Sequence, residues 1–493
     1  MAFLKIHRGT GVESYRFEPP ASLSDLLNTA GLPVDRPCGG RGVCGKCLAD
    51  IEGEVSPLNE AERKAGGHLI CQTTLYGDAD FYAEGSERKD LSEIETSSLS
   101  YRGPLDPMQG RCGFAVDIGT TTVVVQLYDL STGACLSESS ERNDQITVAA
   151  DVMGRIEHAL KGELGNLNSQ ILSQIRRLMD QCLMQAGIAD AEAPSAVLTG
   201  NTTMLYLLTG RDPEPLSHAP FDADCLFGTE AELFGKTVYL PPCMSAFVGA
   251  DIACAVLSSS MCSLKETSLL CDVGTNGEMA LWLNGSLYVC STAAGPAFEG
   301  AGISCGCSNI PGAVDRVTVE NGKITAHTIG DKAAAGVCGS GLIDAVACML
   351  ETGELDETGY LEDDFYLSGS VYLSPADIRA VQLAKAAIAG GMQTLLESAE
   401  TDVTDLKKLY LAGGFGNHMN VRSAARIGLI PDGIQELSVP IGNAALSGAV
   451  MLLLNQGLRD EIASIAKNAK TIALGGNPRF NQNYVEHMMF PET

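Results

Sequence analysis

Positive charge is scarce in this chain. Its 493 residues include 33 lysines and arginines against 61 aspartates and glutamates, which gives a formal net charge of −28 at pH 7. Proteins bind nucleic acids and anionic membranes through basic surfaces, because neutralising phosphate charge supplies much of the affinity. The composition therefore argues against a nucleic-acid or membrane partner.

Long apolar runs are also missing. No stretch approaches the roughly 18 uncharged apolar residues that a membrane-spanning helix needs, and residues 1–5 lack the apolar core of a secretory signal peptide. With 45% hydrophobic and 19% charged residues, the chain has the composition of a globular protein. Its length allows two or three domains. We expect a cytoplasmic protein.

The stretch GFAVDIGTTTVVVQLYDL, residues 113–130, contains two apolar runs with a polar turn between them. Such runs, joined by Asp, Gly and hydroxyl residues, predict a hairpin whose turn meets a polar ligand. Gly119 lets the backbone approach that ligand, and the following amides and hydroxyls can donate to phosphate oxygens. Asp117 suits a hydrated Mg²⁺, which usually takes one or two carboxylates. A tight hairpin with a capping aspartate is the alternative.

The pattern recurs in LLCDVGTNGEMALWL, residues 269–283, with Asp272, Gly274 and Thr275 in the corresponding positions. A duplicated hairpin predicts two similar halves that close on one ligand from both sides. A third element, LYLAGGFGN at residues 409–417, reads as a strand, a glycine turn and a helix. A turn of this kind lets the backbone approach a flat or anionic group.

DIGTTT, DVGTNGE and LAGGFGN resemble the phosphate-1, phosphate-2 and adenosine motifs of the superfamily of acetate and sugar kinases, Hsp70 and actin. All three stand in the expected order, and the resemblance covers most of residues 112–493. It implies an α/β, duplicated actin-like and Hsp70-like (ribonuclease H-like) ATPase domain that binds ATP and Mg²⁺. It also implies that Asp117 and Asp272 hold the Mg²⁺ and orient the attacking water.

The same resemblance assigns the nucleotide contacts. Asp251, which precedes a small-residue helix at residues 252–257, is a third candidate catalytic residue, and we expect the glycine-rich turns at residues 295–302 and 336–344 to line the cleft. The residues expected to bind the phosphates are Gly119, Thr120, Thr121, Thr122, Gly274, Thr275, Asn276 and Gly277. Those expected to bind the adenosine are Gly413, Gly414, Phe415 and Asn417.

Cysteine is abundant, with 17 residues. Because no export signal is evident, these thiols are expected in a reducing compartment, where cysteine serves metal or thiol chemistry. Cys38, Cys44, Cys47 and Cys71 have the spacing C-x5-C-x2-C-x23-C. Three thiolates on a glycine-rich loop and a distant fourth predict a 2Fe–2S cluster, with one more residue in the first gap than the plant-type spacing. A structural zinc site is the alternative, although such sites usually have paired C-x2-C hooks.

Cysteines outside this group mostly lie in apolar runs, where free cysteine behaves as a small core residue. Cys305 and Cys307 are the exception, because they follow a glycine turn. A second metal site or a redox pair there is less favoured than a structural role, since no nearby C-x2-C completes a ligand set.

The first 84 residues resemble the β-grasp 2Fe–2S ferredoxins, an α+β fold, through a predicted hairpin, a helix capped by Ser22, the cluster loop and the late fourth cysteine. We therefore expect a ferredoxin-like domain at residues 1–84 and a linker at 85–111. Two ATPase subdomains are expected at 112–257 and 258–440, followed at 441–493 by helices that return to the first subdomain.

An electron carrier fused to an ATP-binding domain suggests electron transfer that is uphill without ATP. The pairing resembles the reductive activators of corrinoid-dependent methyltransferases, and it implies reduction of Co(II) to Co(I) on a partner corrinoid protein. The resemblance also implies an unidentified low-potential electron donor and a homodimer through the ATPase domain. The chain departs from many relatives, because its linker is too short for a further domain and it lacks the extra C-terminal cysteine clusters that others carry for 4Fe–4S centres. No Asp-x-His-x-x-Gly corrinoid signature is found, so the corrinoid is expected on the partner.

Two other functions remain open at this point. One is ATP-dependent electron donation to another low-potential metalloprotein, which differs only in the acceptor. The other is a small-molecule kinase that carries a 2Fe–2S redox sensor, for which Asp251 is the one candidate base that the sequence offers.

Overall fold

The computed structural model describes residues 1–8, 11–30, 32, 42, 47–82 and 101–492, and at Phe415 and Asn417 it describes the backbone alone. The chain divides into two units. The first contains Met1–Asp90 and Asn143–Ile171, and the second contains Leu91–Arg142 and Leu172–Thr493. Cys38, Cys44 and most of the predicted linker lie outside the described residues.

The first unit is organised by a mixed sheet with one apolar face. Along the first strand the side chains of Ala2, Leu4 and Ile6 are buried while their neighbours are exposed, the alternation typical of a strand with one face on a core. The strands are β1 (Ala2–Arg8), β2 (Gly11–Phe17), β3 (Ala21–Ser22), β4 (Leu48–Val55), β5 (His68–Leu69) and β6 (Thr74–Tyr82), and the helices are α1 (Leu23–Thr29) and α2 (Glu60–Ala65).

The strand order is β2-β1-β6-β4-β5, with β3 paired to β6. Strand β1 runs antiparallel to β2 and parallel to β6, so the first and last strands are neighbours at the centre of the sheet. Helix α1 begins directly after Ser22, as predicted. This arrangement confirms the predicted β-grasp fold.

The segment Asn143–Ile171 is organised by a buried arginine. It contains helix α3 (Val152–His158), a π-helical turn at Ala159–Glu163 and the first residues of helix α4 (Leu164–Ala186). Arg155 is fully buried and donates to the Ala149 carbonyl at 2.9 Å and to Gln145 Oε1 at 3.1 Å. Burial lowers the pKa of Arg155 to about 9.

The second unit contains two halves with the same topology. The strands of the first half are β7 (Cys112–Ile118), β8 (Thr122–Asp129), β9 (Cys135–Arg142), β10 (Ser195–Gly200), β11 (Thr229–Leu233) and β12 (Lys236–Leu240). Its helices are α5 (Thr202–Thr209), α6 (Ala250–Ser259) and the larger part of α4. Its sheet has the order β11-β12-β10-β7-β8-β9.

The second half repeats five of these strands in the same order, from β12 to β9, and adds its sixth strand at the other edge. Its strands are β13 (Ser268–Val273), β14 (Asn276–Leu283), β15 (Ser286–Ala293), β16 (Ala313–Glu320), β17 (Lys323–Thr328), β18 (Gly336–Val337), β19 (Phe365–Ser368), β20 (Val371–Leu373), β21 (Lys408–Ala412), β22 (Ser438–Pro440) and β23 (Lys470–Thr471). Its helices are α7 (Gly339–Thr352), α8 (Pro375–Ser398), α9 (Gly413–His418) and α10 (Val421–Arg426), followed by α11 (Ala444–Leu454), α12 (Leu458–Asn468) and α13 (Pro478–Glu486).

The main sheet of the second half has the order β22-β21-β13-β14-β15-β23. In each half, two parallel strands therefore lie beside the first strand of a meander of three antiparallel strands. The duplicated ATPase fold predicted from the two hairpins is therefore confirmed. Within the part of the chain that the structure describes, no helix has the length and hydropathy needed to cross a membrane.

Small residues let helix α6, at the end of the first half, and helix α11 approach closely. Helix α11 packs on α6, β7 and β10, and Ser258 Oγ of α6 donates to the Ala444 carbonyl at 2.8 Å. A Cβ on Gly448 would overlap the backbone of Cys254. Helix α13 packs on α8 of the second half.

Candidate nucleotide and iron–sulfur sites

The two predicted phosphate hairpins occupy equivalent places in the two sheets. Asp117 is the penultimate residue of β7, and Asp272 is the penultimate residue of β13. Asp117 pairs with Val124 across its hairpin, whereas Asp272 pairs with Glu278, which adds a second acid to the later hairpin. Both aspartates are thus delivered to the ends of their strands by the same local fold.

A single glutamate connects the turns of the two hairpins. Thr121 Oγ1 donates to Glu299 Oε2 at 2.8 Å, and Thr275 Oγ1 donates to Glu299 Oε1 at 2.7 Å. Glu299 ends a 3₁₀ turn at Ala297–Glu299, inside the glycine-rich segment that the sequence predicts to line the cleft. The structure therefore brings the hydroxyls of both predicted phosphate motifs to one point.

Two helix-capping asparagines hold the first hairpin from the side. Asn443 accepts the Leu446 amide as the N-cap of α11, and its Nδ2 donates to Asp117 Oδ2 at 2.9 Å. Asn201 caps α5 and donates from Nδ2 to Thr120 Oγ1 at 3.1 Å. An asparagine amide can do both, because its oxygen satisfies the helix while its nitrogen stays available as a donor.

Burial raises the pKa values of three acids, and repulsion from neighbouring carboxylates adds to the effect in two of them. Burial raises the pKa of Asp117 to about 6, against the lowering effect of the hydrogen bond from Asn443. Burial, with repulsion from Asp117 and then Glu299, raises the pKa of Asp272 to about 7. Burial raises the pKa of Asp251 to about 7, with further contributions from the charges of Asp117 and Asp272.

Glu278 joins this group. Burial raises its pKa well above the usual value, and the charges of Asp251 and Asp272 add to the effect. Clustered acids with raised pKa values are typical of functional sites. The sequence prediction did not include Glu278, although it stands two residues after Asn276 in the second motif.

The acid cluster fits a hydrated divalent cation. Carboxylates buried together repel one another, and a cation removes that repulsion. Among the described residues, no group of three His, Cys, Asp or Glu side chains is arranged to ligate a metal directly. Mg²⁺ usually retains several waters and binds one or two carboxylates, so the residues present suit it, with Asp117 and Asp272 as the side chains that would hold it.

The third predicted motif lies against the acid cluster. Strand β21 runs parallel to β13 and pairs Ala412 with Asp272, so the next residue, Gly413, begins α9 beside that carboxylate. Gly413 has φ +82°, and a Cβ placed on it would lie 2.5 Å from Asp272 Oδ1. Gly414 is exposed. The side chains of Phe415 and Asn417 lie outside the described residues.

Replacing Gly413 by alanine should weaken MgATP binding at least tenfold, because the added Cβ displaces the Asp272 carboxylate. Gly433→Ala is the matched control, since Gly433 has φ +83° and nothing within 4 Å of the added Cβ, so it carries the same backbone strain without the collision. Isothermal titration calorimetry measures both affinities. Equal affinities in the two variants would contradict this placement of the adenosine motif.

The other predicted phosphate-binding residues occupy the hairpin turns. A Cβ on Gly119 would lie 2.8 Å from the Thr122 carbonyl, so this turn requires glycine, and the Gly274 amide donates to the Asn276 carbonyl at 3.0 Å. Gly277 has a different environment. A Cβ there would lie 3.0 Å from Ile388 of α8, which gives this glycine a packing role against the helix.

Two of the four predicted cluster ligands are described, and they are adjacent. The Sγ atoms of Cys47 and Cys71 lie 3.3 Å apart, and no disulfide bond joins them. The Ile70 amide donates to the Cys47 carbonyl at 2.7 Å, and Gln72 Nε2 lies 3.9 Å from Cys71 Sγ. Adjacent thiols with an amide donor fit an iron–sulfur cluster, whose potential depends on such hydrogen bonds.

A buried glutamate fixes the segment that carries Cys71. Glu62 has no exposed surface and forms a capping box with Asn59 at the start of α2. Its Oε1 accepts from the Leu69 amide and from Thr73 Oγ1, each at 3.1 Å. These bonds hold both flanks of Cys71.

Replacing Cys71 by serine should abolish the visible absorption of the cluster, because one thiolate ligand is lost, while nucleotide binding to the ATPase unit is unchanged. Cys135→Ser is the matched control, since Cys135 is exposed and stands in β9 of the other unit. Absorption and electron paramagnetic resonance spectra check the cluster. A full cluster spectrum in Cys71→Ser would exclude Cys71 as a ligand.

Cys305 and Cys307 do not form a metal centre with other described residues. Cys305 Sγ donates to the Ser370 carbonyl at 3.8 Å. Cys307 packs against a small apolar cluster of Ile310, Ala313 and Cys338. The described contacts are those of structural cysteines.

Three family models match the chain in succession. Residues 9–76 match the 2Fe-2S iron-sulfur cluster binding domain, residues 112–263 match the RACo middle region, and residues 266–493 match the C-terminal domain of RACo, the ASKHA domain. The first match indicates a 2Fe–2S cluster, and the third implies ATP and a divalent metal.

Whole-chain relatives agree with these matches. The chain is 30% identical to the corrinoid activation enzyme RamQ of Eubacterium limosum, over 95% of this chain and 96% of that protein. It is 26% identical to the [Co(II) methylated amine-specific corrinoid protein] reductase of Methanosarcina barkeri, over 76% of each. A solved structure of a reductive activator for corrinoid,iron-sulfur protein superposes with a TM-score of 0.73 at 26% identity, over 100% of this chain and 99% of that one.

Proposed function

The chain belongs to the family of corrinoid activation proteins that includes RamQ and RACo, and we propose that it uses ATP to reduce a corrinoid protein. The electron passes from the 2Fe–2S cluster to Co(II) and regenerates Co(I) on the partner. Two of the relatives are named for different acceptors, a methylated amine-specific corrinoid protein and a corrinoid,iron-sulfur protein, so the proposal extends to the class of acceptor and not to one member.

One observation carries the proposal beyond family membership. Hydroxyls from both phosphate hairpins, Thr121 and Thr275, converge on the Glu299 carboxylate, so the nucleotide site is shared between the two halves of the ATPase unit. A ligand that binds at such a point changes the relative stability of open and closed arrangements. ATP can therefore drive a domain closure, which an isolated electron carrier would not need.

The need for ATP follows from redox potentials. A plant-type 2Fe–2S cluster has a potential near about −400 mV, and the Co(II)/Co(I) couple of corrinoids lies lower still. Electron transfer in that direction is rare unless the acceptor is held in a more reducible state. The cluster would be the one-electron carrier, and it would be held by Cys38, Cys44, Cys47 and Cys71.

The side chains of the acid cluster have distinct proposed roles in ATP hydrolysis. Asp117 and Asp272 would hold Mg²⁺, which neutralises phosphate charge, and the hydroxyls of Thr120, Thr121 and Thr275 would donate to phosphate oxygens. Phosphoryl transfer to water needs chiefly such positioning and charge neutralisation. Asn443 holds the Asp117 carboxylate in place from outside the nucleotide site.

Asp251 is the proposed proton acceptor. The Ile252 amide donates to Asp251 Oδ1 at 2.8 Å, so Oδ2 is the atom that would take the proton from the attacking water. In the metal-free site its pKa is about 7, chiefly because the carboxyl is buried, and a pKa raised by burial suits a general base near neutral pH.

ATP turnover with defined partners tests the proposal. Hydrolysis should accelerate when a corrinoid protein in the Co(II) state is added, and the same protein in the methyl-Co(III) state should have little effect. Phosphorylation of a metabolite in stoichiometric amounts would favour the kinase with a redox sensor. If only a different metalloprotein, reduced or oxidised, stimulates ATP hydrolysis, the electron acceptor belongs to that class of metalloprotein.

The electron donor, the oligomeric state and the cellular location complete the proposal. We expect a separate low-potential electron donor, a homodimer formed through the ATPase unit and a cytoplasmic location. Analytical ultracentrifugation of the anaerobic protein tests the dimer.

A further inference from the structure

Glu299 lies where the phosphates of a nucleotide would be expected. Its two carboxylate oxygens accept hydrogen bonds from one threonine of each phosphate hairpin, Thr121 at 2.8 Å and Thr275 at 2.7 Å. A Cβ on Gly274, in the second hairpin, would lie 3.6 Å from Glu299 Oε1. The carboxylate thus sits over the turn that the proposed function assigns to phosphate binding.

A carboxylate in this position accepts the hydrogen bonds that a phosphate would accept. Each threonine hydroxyl has a single proton to donate, so the hydrogen bond to Glu299 and a hydrogen bond to a phosphate oxygen exclude each other. The two acceptors also carry the same sign of charge, and repulsion between them is stronger in this partly buried site than in water.

We propose that Glu299 is a positioning residue that competes with the phosphates of the nucleotide. Without nucleotide it holds the two hairpins together through Thr121 and Thr275, and it must release both hydroxyls when the phosphates bind. The inference rests on the nucleotide site of the proposed function and is independent of the electron acceptor.

The surroundings of Glu299 favour release by rotation of the side chain. The preceding Ala297 and Phe298 are buried at 5% and 2% exposure. The Glu299 and Ala301 amides both donate to the Pro296 carbonyl, at 3.0 Å and 3.1 Å. Because these contacts anchor the turn, its backbone stays in place while the carboxylate leaves the hydroxyls.

The competition between Glu299 and the phosphates should depend on the divalent cation, because both competitors are negatively charged. Glu299 contributes to the repulsion felt by Asp272, so the phosphates of an incoming nucleotide meet a site that is already negative. A divalent cation offsets part of that repulsion. The effect of Glu299 should therefore be largest when the cation is absent.

Affinities for adenosine, ADP and ATP, measured by calorimetry in EDTA and in excess Mg²⁺, test the proposal. Glu299→Gln keeps the shape of the side chain and removes its charge, and Glu299→Ala removes the acceptor altogether. Both variants should bind ADP and ATP at least tenfold more tightly than the wild type in EDTA, while adenosine affinity is unchanged. Glu266→Gln, which removes one exposed charge from the same half, should leave all three affinities unchanged.

Failure of the proposed competition and failure of the proposed nucleotide site give different results. If the wild type binds nucleotides and both Glu299 variants bind ADP and ATP equally or more weakly, Glu299 supports phosphate or metal binding and the competition is wrong. If the wild type binds no adenine nucleotide under any condition, the nucleotide site of the proposed function fails, and the competition fails with it.

Discussion

ATP-dependent reduction of the acceptor should fall by at least about 100-fold when Asp117 is replaced by asparagine, while the visible spectrum of the 2Fe–2S cluster stays unchanged. The amide has the size of the carboxylate, and its oxygen can still accept the hydrogen bond from Asn443. It lacks the negative charge that a cation requires. The hairpin should therefore keep its fold and lose its chemistry.

Asp129→Asn is the matched control for this variant. Asp129 lies at the opposite end of the same pair of strands, where it pairs with Cys112 and accepts from the Ser131 amide at 2.9 Å in an exposed turn. The substitution removes the same charge from the same hairpin. Loss of the cluster spectrum in Asp117→Asn, or equal loss of activity in both variants, would contradict the division of labour between the two units.

The ATPase unit without metal and nucleotide should become less stable as pH rises from about 4 to about 7. Asp117, Asp251 and Asp272 have pKa values of about 6, about 7 and about 7 in the folded protein, against 3.8 as their ordinary value. The folded state therefore binds more protons than the unfolded state within this interval, and stability falls as those protons leave. Mg²⁺ with ATP should flatten the dependence, because the added cation compensates the carboxylate charges.

Asp251→Asn should stabilise the metal-free protein at pH 7.5 by the order of 2–4 kcal/mol. The asparagine keeps an oxygen for the Ile252 amide and removes one buried charge. Differential scanning calorimetry of the full chain in EDTA, at pH 5 and pH 7.5, measures the effect.

Asp129→Asn provides a control of opposite sign. Hydrogen bonds, first from the Ser131 hydroxyl, lower the pKa of Asp129, so its charge stabilises the folded state and its removal should destabilise it at pH 7.5. A metal-free ATPase transition that rises in temperature between pH 5 and pH 7.5, or no gain from Asp251→Asn, would show that the carboxylates are not repelling one another.

The sequence predicted the parts of this protein that have a local signature. The two phosphate hairpins were recognisable because apolar runs surround a turn of Asp, Gly and Thr, and because the pattern occurs twice. The start of α8 has the same local character, because Ser374 and Pro375 are a cap and a first-turn residue, and Ser374 forms a capping box with Asp377. Such features depend on neighbours in the chain alone.

The contacts that complete the site were not predictable in the same way. Asn443 contacts Asp117 across 326 positions of sequence, and Glu299 contacts Thr121 across 178. Each looks ordinary in its own segment, one as a helix cap and the other as part of a glycine-rich turn. Their roles arise only when the duplicated halves fold together, and no local pattern records that pairing.

Glu278 is an intermediate case. Its place two residues after Asn276 is visible in the sequence, but only the folded sheet shows that β14 is buried on both faces from residue 277 to residue 281. In the folded protein the residue is buried beside Asp272, its partner across the hairpin. Burial and register together, and not the motif, make it part of the acid cluster.

The central claim is that ATP drives the electron from the cluster to the corrinoid. The most direct measurement is anaerobic: the chemically reduced protein is mixed with a Co(II) corrinoid protein, with and without MgATP, and the Co(I) absorbance band is followed. We predict that the band grows only in the presence of MgATP and that Asp117→Asn abolishes this growth. A band that never appears while the cluster stays reduced and ATP is hydrolysed would contradict the account.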